Sequence, residues 1–545
     1  MRDPSARPGG AGIDAAGSGG FHDAMRRIAA GVCGLAFLVL AAALVWLGRL
    51  EQGGSAHADL ELAGGVPATL YLPQPGEPHG GLPDPLPPDE RPPAIVLCHG
   101  FAGDRAMLST LARRLVASGY AVLALDARGH GENRNAFFPG RGRSDQLLEE
   151  FTAAVDFLRA SPHVDGARLA VMGHSMGAGA ALDYATRDSG LDAAVLISGG
   201  WAAEGPYRPP NPLFVYAAGD PAGLREHVRS LAARLAEGAT RAGATLGDPA
   251  QGASVRAVEI PGHDHVTILW SSHAAREIVN WLDASFGVIR ASDPALADPR
   301  LAAAGIALLA FLVVAPGIGA LAGRIAPPAP LAPSAGGVAR FAGVVGALAL
   351  SLPFSAGSVA TAFLPLAVAR ETAQLFLGAG LVVLVALLVR GKLDLRRLAW
   401  RWPRALTAAA LACAAVVGLL TPLGVVAHRL ALTPERAASA GLLALLLFPL
   451  FLSLEISLRR GSSLAALGAS VAGRVALLGA LVLGVGAGLL PGAASLMLPT
   501  LALSFVLVEL VATPLYAASR NVLAIAVLES AWLAWLQAAS LPILW

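Results

Sequence analysis

Gly173-His174-Ser175-Met176-Gly177 is the stretch that decides the fold, because it joins a short apolar run to an alanine-rich segment. Residues 168–172 predict a buried strand, and residues 178–186 predict a helix. Glycines at both ends remove side chains where a tight strand-to-helix turn would crowd its neighbours. Such a turn projects the serine hydroxyl into a cleft, and the Met176 N–H points the same way. Ser175 is therefore a candidate nucleophile.

The pentapeptide alone has a second interpretation, a glycine-rich turn without chemistry. Glycine accounts for 62 of the 545 residues, so a Gly-x-Ser-x-Gly pattern can arise by chance in this chain. Residues elsewhere in the sequence must decide between the two interpretations.

Two later residues supply the partners that a serine nucleophile needs. A serine hydroxyl at neutral pH is a poor nucleophile unless a neighbouring base takes its proton. Gly262-His263-Asp264-His265 follows the last predicted strand; we favour His265 as the base, whereas His263 would cap the loop or line the cleft. Asp220 ends the predicted strand over residues 213–217 and would orient the imidazole. The chain order serine, acid, histidine is the one expected for an α/β-hydrolase.

An oxyanion hole is also predicted. His99-Gly100-Phe101 follows the buried strand expected at residues 94–98, so the Phe101 N–H could pair with the Met176 N–H. We expect the His99 side chain to hold its loop by hydrogen bonds rather than to take part in chemistry.

Composition shows that part of the chain lies in lipid. Hydrophobic residues make up 55% of the chain and charged residues only 14%. The net charge of +2 and the absence of a basic run interleaved with aromatic residues give no case for nucleic-acid binding. Cys33, Cys98 and Cys413 are an odd number without metal-ligand spacing, so we expect no disulfide framework, no metal and no cofactor.

The sequence divides into four parts. We expect a disordered cytoplasmic tail at residues 1–27, a transmembrane anchor at 28–48, a soluble α/β domain at 55–290 and a membrane domain at 300–545. The anchor is longer than a signal-peptide core, although Ala56-His57-Ala58 resembles a cleavage site. In the soluble domain, strands alternate with helices, which predicts a mostly parallel sheet.

The membrane domain contains eight predicted spans. They cover residues 301–323, 341–363, 371–390, 405–427, 438–458, 470–490, 494–517 and 521–541. The loop at residues 390–404 carries six basic residues and should face the cytoplasm. Counting spans from that loop places the soluble domain and the C-terminus on the extracytoplasmic side of the plasma membrane.

The soluble domain resembles the α/β-hydrolase superfamily, in particular its monoacylglycerol-lipase, serine-aminopeptidase and small-esterase branches. The resemblance rests on Leu97-Cys98-His99-Gly100, residues 120–126, Asp126-Ala127-Arg128-Gly129-His130-Gly131 and the serine pentapeptide. It implies a structural turn near the cleft for residues 126–131, and no catalytic role for Asp126, Arg128 or His130. Where many lipases carry a long lid, only residues 198–211 stand here, which implies an open cleft with Trp201 and Tyr207 at its rim or packed in the loop.

These features predict a membrane-bound serine hydrolase with a small acyl or lipid-like substrate and the bilayer as partner. We favour carboxylic esters as the bond cleaved, with thioesters and amides as the alternatives that the sequence leaves open. The alternative is a transporter or export component whose hydrolase domain binds or processes its cargo. Glu509 and Glu529 fall near the middle of the last two spans, where they could form a proton or substrate path or be hydrogen-bonded between helices. Glu455 and Arg474 should lie near the inner interface and snorkel.

Overall fold

The computed structural model describes most of the chain. The described residues are 16–53, 55–75, 82–138, 140, 143–201, 205–237, 243–294, 296–328, 337–357, 359–391, 393 and 402–545. They form a sheet domain, from residue 55 to residue 294, and a helical domain that packs against it. The basic residues Lys392, Arg396, Arg397 and Arg401 of the predicted cytoplasmic loop lie outside the described residues.

The sheet domain is built on nine strands in the order β1-β2-β4-β3-β5-β6-β7-β9-β8. The six strands from β3 to β7 and β9 pair in parallel, whereas β1, β2 and β8 join the sheet by antiparallel pairing. The central strands are buried along their length, as expected when helices cover both faces. The strands are β1 Ser55–Leu62, β2 Val66–Pro75, β3 Pro93–Cys98, β4 Ala121–Leu125, β5 Asp165–His174, β6 Ala193–Ile197, β7 Pro212–Ala217, β8 Thr245–Leu246 and β9 Val255–Ile260.

Five helices cover the two faces of the sheet. One apolar core lies between the sheet and α3, α4 and α5, and the other between the sheet and α2 and α6. These helices are α2 Ser109–Ala117, α3 Arg143–Ala160, α4 Met176–Ala185, α5 Ala222–Leu235 and α6 Ser272–Phe286. The predicted α/β class with a mostly parallel sheet is confirmed.

The helical domain consists of long apolar helices. Among the described residues, nine helices are long and apolar enough to cross a membrane, one near the N-terminus and eight after the sheet domain. They are α1 Ala16–Gln52, α7 Pro299–Ile325, α8 Gly337–Ser351, whose span continues to Ser355, α9 Ala369–Val389, α10 Trp402–Leu420, α11 Pro434–Leu458, α12 Ser463–Gly486, α13 Leu498–Ser519 and α14 Val522–Ser540.

Helix α1 begins earlier than predicted. It starts at Ala16, so the expectation of a disordered tail is wrong for residues 16–27, and residues 1–15 lie outside the described residues. Adding a residue to an existing helix costs less than starting one, so the apolar span can propagate helix toward the N-terminus.

The sheet domain contacts several connecting segments of the helical domain. Among the described residues, its partners include the segment before α9, the loop between α10 and α11, and the residues after α14. These segments are separated by even numbers of spans, so they all emerge on the same side of a bilayer as the sheet domain. The membrane-crossing pattern and the domain contacts therefore agree with each other.

Candidate active site

Ser175 occupies a strained turn between β5 and α4. Its φ is 53°, a region that residues other than glycine seldom adopt, and its N–H donates to the Ile197 carbonyl of β6 at 2.8 Å. A Cβ at Gly173 would lie 2.1 Å from the Gly177 carbonyl, and one at Gly177 would lie 2.4 Å from the Cys98 carbonyl oxygen. The two glycines therefore allow β5, the turn and α4 to pack as closely as they do.

The structure brings Ser175, His265 and Asp220 into one line of hydrogen bonds. The His265 Nε2 lies 3.0 Å from the Ser175 Oγ, and the His265 Nδ1 lies 2.6 Å from the Asp220 Oδ1. All three follow the carboxyl ends of parallel strands, which meet at one edge of the sheet. Such an arrangement can remove the serine proton and hold the resulting imidazolium beside a carboxylate.

Asp220 is held in its orientation by further donors. Its Oδ2 accepts from the Ser198 hydroxyl at 2.6 Å and from the Ala217 N–H at 2.8 Å. Burial acts to raise the pKa of Asp220, but the hydrogen bonds from His265 and Ser198 outweigh it and lower the pKa below the ordinary value. The carboxyl group therefore stays ionised at neutral pH. Ser198, with a positive φ of 45°, is a residue that the sequence analysis missed.

The two residues predicted to supply the oxyanion donors, Phe101 and Met176, lie near Ser175. Met176 is the first residue of α4, where N–H groups have no acceptor within the helix. Phe101 follows β3, and both residues line the same cavity as Ser175. The structure thus brings both predicted donors to the cavity of the serine.

The residues near the site that were not expected to be catalytic contact neighbouring loops and side chains instead of Ser175. His99 accepts from the Ala127 N–H at 2.9 Å, which joins the loop after β3 to the loop after β4. His130 is fully buried, and Asp126 pairs with Arg105. The backbone carbonyl of His263 accepts a hydrogen bond from the Gly219 N–H at 2.9 Å. None of these four side chains bonds to Ser175 in the described structure.

His174 does more than the sequence suggested. We expected only packing, but its Nε2 lies 2.7 Å from the His265 carbonyl oxygen, so it donates there. Burial, together with the neighbouring His265, lowers the pKa of His174 to about 3. A neutral imidazole at this position therefore holds the backbone of His265. In the sequence, the position of His174 beside Ser175 did not show whether its side chain would hold the His265 loop by a hydrogen bond or only pack in the core.

The cavity at Ser175 is lined by both the sheet domain and the helical domain. It has a volume of about 470 Å³, within the range of small-molecule sites. The sheet domain contributes Phe101, Phe137, Met176, Trp201 and Leu224, and the helical domain contributes Ala367, Val368, Pro491, Leu496 and Leu544, with Arg370 and Glu371. Segments of the helical domain therefore cover part of the cleft that the short loop at residues 198–211 was expected to leave open.

The two aromatic residues expected at the rim, Trp201 and Tyr207, lie in different surroundings. Trp201 lines the cavity, and its ring packs so closely on α4 that a Cβ at Gly179 would lie 2.1 Å from it. Tyr207 is not among the residues that line the cavity, and 49% of its surface is exposed. Its N–H instead donates to the Thr186 carbonyl.

A buried ionic cluster lies within the helical domain, away from the cavity. It comprises Glu455, Arg459, Arg474, Glu509 and Glu529, whose side chains are at most 8% exposed. The two Arg459 terminal nitrogens lie 2.8 and 2.9 Å from the Glu509 carboxylate, and Arg474 pairs with Glu529. The expectation that Glu455 and Arg474 snorkel is wrong, because the pairing between helices lets them stay buried.

Comparison with known proteins finds similarity in the sheet domain. Residues 89–267 match the family model described as serine aminopeptidase, S33. An uncharacterised protein of Mycobacterium tuberculosis is 40% identical over 95 residues, which cover 17% of this chain and 32% of that protein. The monoacylglycerol lipase of Mycolicibacterium smegmatis is 36% identical over 113 residues, which cover 21% of this chain and 39% of the lipase.

Among solved structures, an esterase of Pyrobaculum calidifontis is 19% identical with a TM-score of 0.31, and covers 48% of this chain and 94% of its own. The chain therefore spans 32–39% of the length of the two curated relatives described above. The family match supports the α/β-hydrolase assignment of the sheet domain.

Proposed function

We propose that this α/β-hydrolase, joined to a membrane domain, is a membrane-bound serine hydrolase that cleaves carboxylic esters. The observation that carries the proposal is the hydrogen-bonded line from Ser175 through His265 to Asp220, with distances of 3.0 and 2.6 Å. A strained serine, a histidine within reach of its hydroxyl and an ionised buried carboxylate are the parts that acyl transfer requires.

The reaction follows from the positions of these groups. The His265 Nε2 takes the proton of Ser175 while the hydroxyl oxygen attacks the ester carbonyl, and the Phe101 and Met176 N–H groups stabilise the oxyanion. His265 then protonates the leaving alcohol, which leaves an acyl group on Ser175. Water attacks this acyl-enzyme with His265 again acting as base, which releases the acid and restores the serine.

The substrate that fits the cavity has an apolar acyl part. Aliphatic and aromatic side chains line most of the walls, and the two charged ones, Arg370 and Glu371, pair with each other at 2.8 Å. The walls contributed by the membrane domain come from the ends of spans, where lipid meets water. An ester with a hydrocarbon chain is the class that these walls favour, as with the relative called a monoacylglycerol lipase.

We place the catalytic domain over residues 55–290 and the membrane domain over residues 300–545, with the anchor at residues 28–48. The basic loop between α9 and α10 emerges on the side opposite the hydrolase domain, so the excess of positive charge favours an extracytoplasmic hydrolase domain. Labelling of single cysteines with an impermeant reagent in whole cells tests this orientation.

A panel of p-nitrophenyl esters with short to long acyl chains tests the proposed activity on the full chain in detergent. We expect hydrolysis by the natural protein, with Ser175→Ala near background and Asp220→Asn lowered by about 10⁴-fold in kcat, the magnitude known for loss of the triad acid. Ser230→Ala, on the exposed side of α5, is the matched serine control and should be unaffected. Hydrolysis that survives Ser175→Ala would refute the proposal.

The ionic cluster does not by itself favour the transport alternative. Its two arginines pair with its three glutamates across α11, α12, α13 and α14, which is the arrangement expected of a structural contact between helices. A transport role would show as loss of cargo movement in Glu509→Gln or Glu529→Gln with ester hydrolysis unchanged.

A further inference from the structure

One loop of the membrane domain reaches the loop that carries Phe101. It joins α10 to α11, and its His428 lies between the spans Trp402–Val425 and Pro434–Leu458. The His428 Nε2 lies 3.1 Å from the Ala102 carbonyl oxygen, and the Nδ1 lies 2.7 Å from the Asp104 Oδ2. A single imidazole thus spans both ends of the segment from Ala102 to Asp104.

The partners of His428 indicate that both of its ring nitrogens donate. Apart from Asp104 and the Ala102 carbonyl, the Nδ1 lies 3.2 Å from the Arg429 carbonyl oxygen, so every polar contact described for the ring is an acceptor. Only the protonated imidazole has donors on both nitrogens. Asp104 is 1% exposed and also accepts from the Arg429 N–H at 2.6 Å and the Met107 N–H at 3.1 Å.

The segment that His428 holds is strained and lies next to a proposed oxyanion donor. Ala102 has a φ of 59°, which a residue with a Cβ adopts only when its surroundings impose it. The Gly103 N–H donates to the Gly100 carbonyl at 3.1 Å, so Phe101 and Ala102 form the two corners of one turn. Rotation of the Ala102 peptide would therefore move the Phe101 N–H relative to Ser175.

We propose that His428 is a positioning residue, by which the membrane domain holds the turn of Phe101 and Ala102 in the geometry of an oxyanion hole. The proposal rests on the proposed ester hydrolysis. The membrane domain is then part of the catalytic apparatus as well as the anchor of the hydrolase domain, because it supplies His428, which bonds to both Ala102 and Asp104.

The ion pair gives this contact a pH dependence. Burial acts to lower the pKa of His428, but the attraction of the Asp104 carboxylate is stronger, so the pKa of His428 is raised. Burial likewise acts to raise the pKa of Asp104, but the neighbouring His428 is the stronger influence, so the pKa of Asp104 is lowered. The contact therefore persists to higher pH than the ordinary pKa of histidine would allow; it is lost as pH rises through the raised pKa of His428, or as pH falls through the lowered pKa of Asp104.

Other charged and titratable groups face the pair, and they do not reverse this direction. His99 and His130 lie on the hydrolase side, and burial lowers the pKa of each, so both are neutral at neutral pH. On the membrane side Arg429 pairs with Glu132 at 2.5 Å. Asp104 therefore remains the charge that sets the protonation of His428.

Kinetics of His428→Gln in the full chain, measured with a p-nitrophenyl ester from pH 6 to 10, test the proposal. We expect kcat to fall on the order of 10- to 100-fold while KM stays within about 2-fold, because the transition state rather than the bound ester uses the oxyanion donor. The natural protein should lose kcat at alkaline pH as His428 loses its proton, and His428→Gln should lack that alkaline fall.

The control is Ser109→Ala, which removes another hydrogen bond between the two domains, from the Ser109 hydroxyl to the Val425 carbonyl at 2.7 Å. Its kcat and pH profile should match those of the natural protein. An unchanged kcat in His428→Gln, an equal loss in Ser109→Ala, or an alkaline fall that persists in His428→Gln would overturn the proposal.

Hydrogen exchange of the amides at residues 100–104 provides a readout that does not depend on catalysis. In a Ser175→Ala background, His428→Gln should speed their exchange about 10-fold or more, and unchanged exchange would contradict the proposal. Ester hydrolysis that does not depend on Ser175 would instead refute the proposed function, so the two failures are distinguishable.

Discussion

Substitution of Arg436 by methionine should weaken the contact between the membrane domain and residues 129–137 of the hydrolase domain. Arg436 lies in the first turn of α11 and is 2% exposed, yet its guanidinium donates to backbone carbonyls rather than to carboxylates. Its Nε and one terminal nitrogen donate to Gly131 and Gly129 of the hydrolase domain at 2.9 and 2.7 Å. The other terminal nitrogen donates to Ala538 and Leu541, near the C-terminus, at 2.6 and 2.9 Å.

The size of the effect follows from the bonds that cross between the domains. Two charge-assisted hydrogen bonds at about 1.5–3 kcal/mol each give a loss of about 3–6 kcal/mol in local docking free energy. This corresponds to an opening of the contact that is about 10²- to 10⁴-fold more frequent. Methionine preserves the apolar stem, so the loss reports on the guanidinium rather than on a cavity.

Hydrogen exchange of residues 129–137 measures this opening. The segment bonds to the C-terminal residues through the Ile543 N–H to the Gly129 carbonyl and the Phe137 N–H to the Ile543 carbonyl, both at 2.8 Å. Arg436→Met should speed exchange of the Phe137 amide at least 100-fold. Arg134→Met is the control, because that arginine is 72% exposed and only faces Glu435 at 3.7 Å. Equal exchange in the two variants would refute the reasoning.

Three further substitutions test other parts of the structure. Arg459→Gln should lower the free energy of unfolding by about 3–5 kcal/mol, because it leaves the buried Glu455 and Glu509 with Arg474 as their one remaining arginine partner in the cluster, and the double substitution with Glu509→Gln should recover part of the loss in a detergent melting experiment. Gly179→Ala should displace the ring of Trp201, which a Cβ would approach to 2.1 Å, and raise KM for long acyl esters more than for acetate; equal changes for all chain lengths would contradict this. Leu496→Trp should narrow the wall supplied by the membrane domain and lower kcat/KM for long-chain esters about 10-fold with short esters unaffected, as a comparison of butyrate with laurate esters would show.

The fold could be predicted because its signals are local. Alternation of short apolar strands with helices over the first half of the chain determined a parallel sheet, and long apolar runs determined the spans. The start of α1 could not be predicted in the same way, since residues 16–27 lack periodicity and become helical only as an extension of an apolar helix.

The sequence predicted where the candidate catalytic residues lie as far as strand ends determine it. Ser175, Asp220 and His265 each follow a strand, and parallel strands bring their carboxyl ends together regardless of the distance in sequence. The roles of His174 and Ser198 depend on which neighbour each side chain meets across the site, which no motif encodes.

The membrane domain's part in the site was missed for a similar physical reason. His428 and Arg436 read in the sequence as polar residues near span ends, where solvent or lipid headgroups would satisfy them. Their partners in the hydrolase domain are backbone carbonyls and a carboxylate more than 300 positions earlier in the chain. Only the docking of two domains reveals such contacts, and the same docking adds residues of the membrane domain to the walls of the cavity at Ser175.

The central claim is that Ser175 is the nucleophile, and mass spectrometry of the protein after reaction with a fluorophosphonate tests it most directly. The account predicts one adduct on the peptide that contains Ser175, formed in the natural protein, absent from Ser175→Ala and slowed by His265→Ala. An adduct on another serine, or equal labelling of the Ser175→Ala protein, would contradict it.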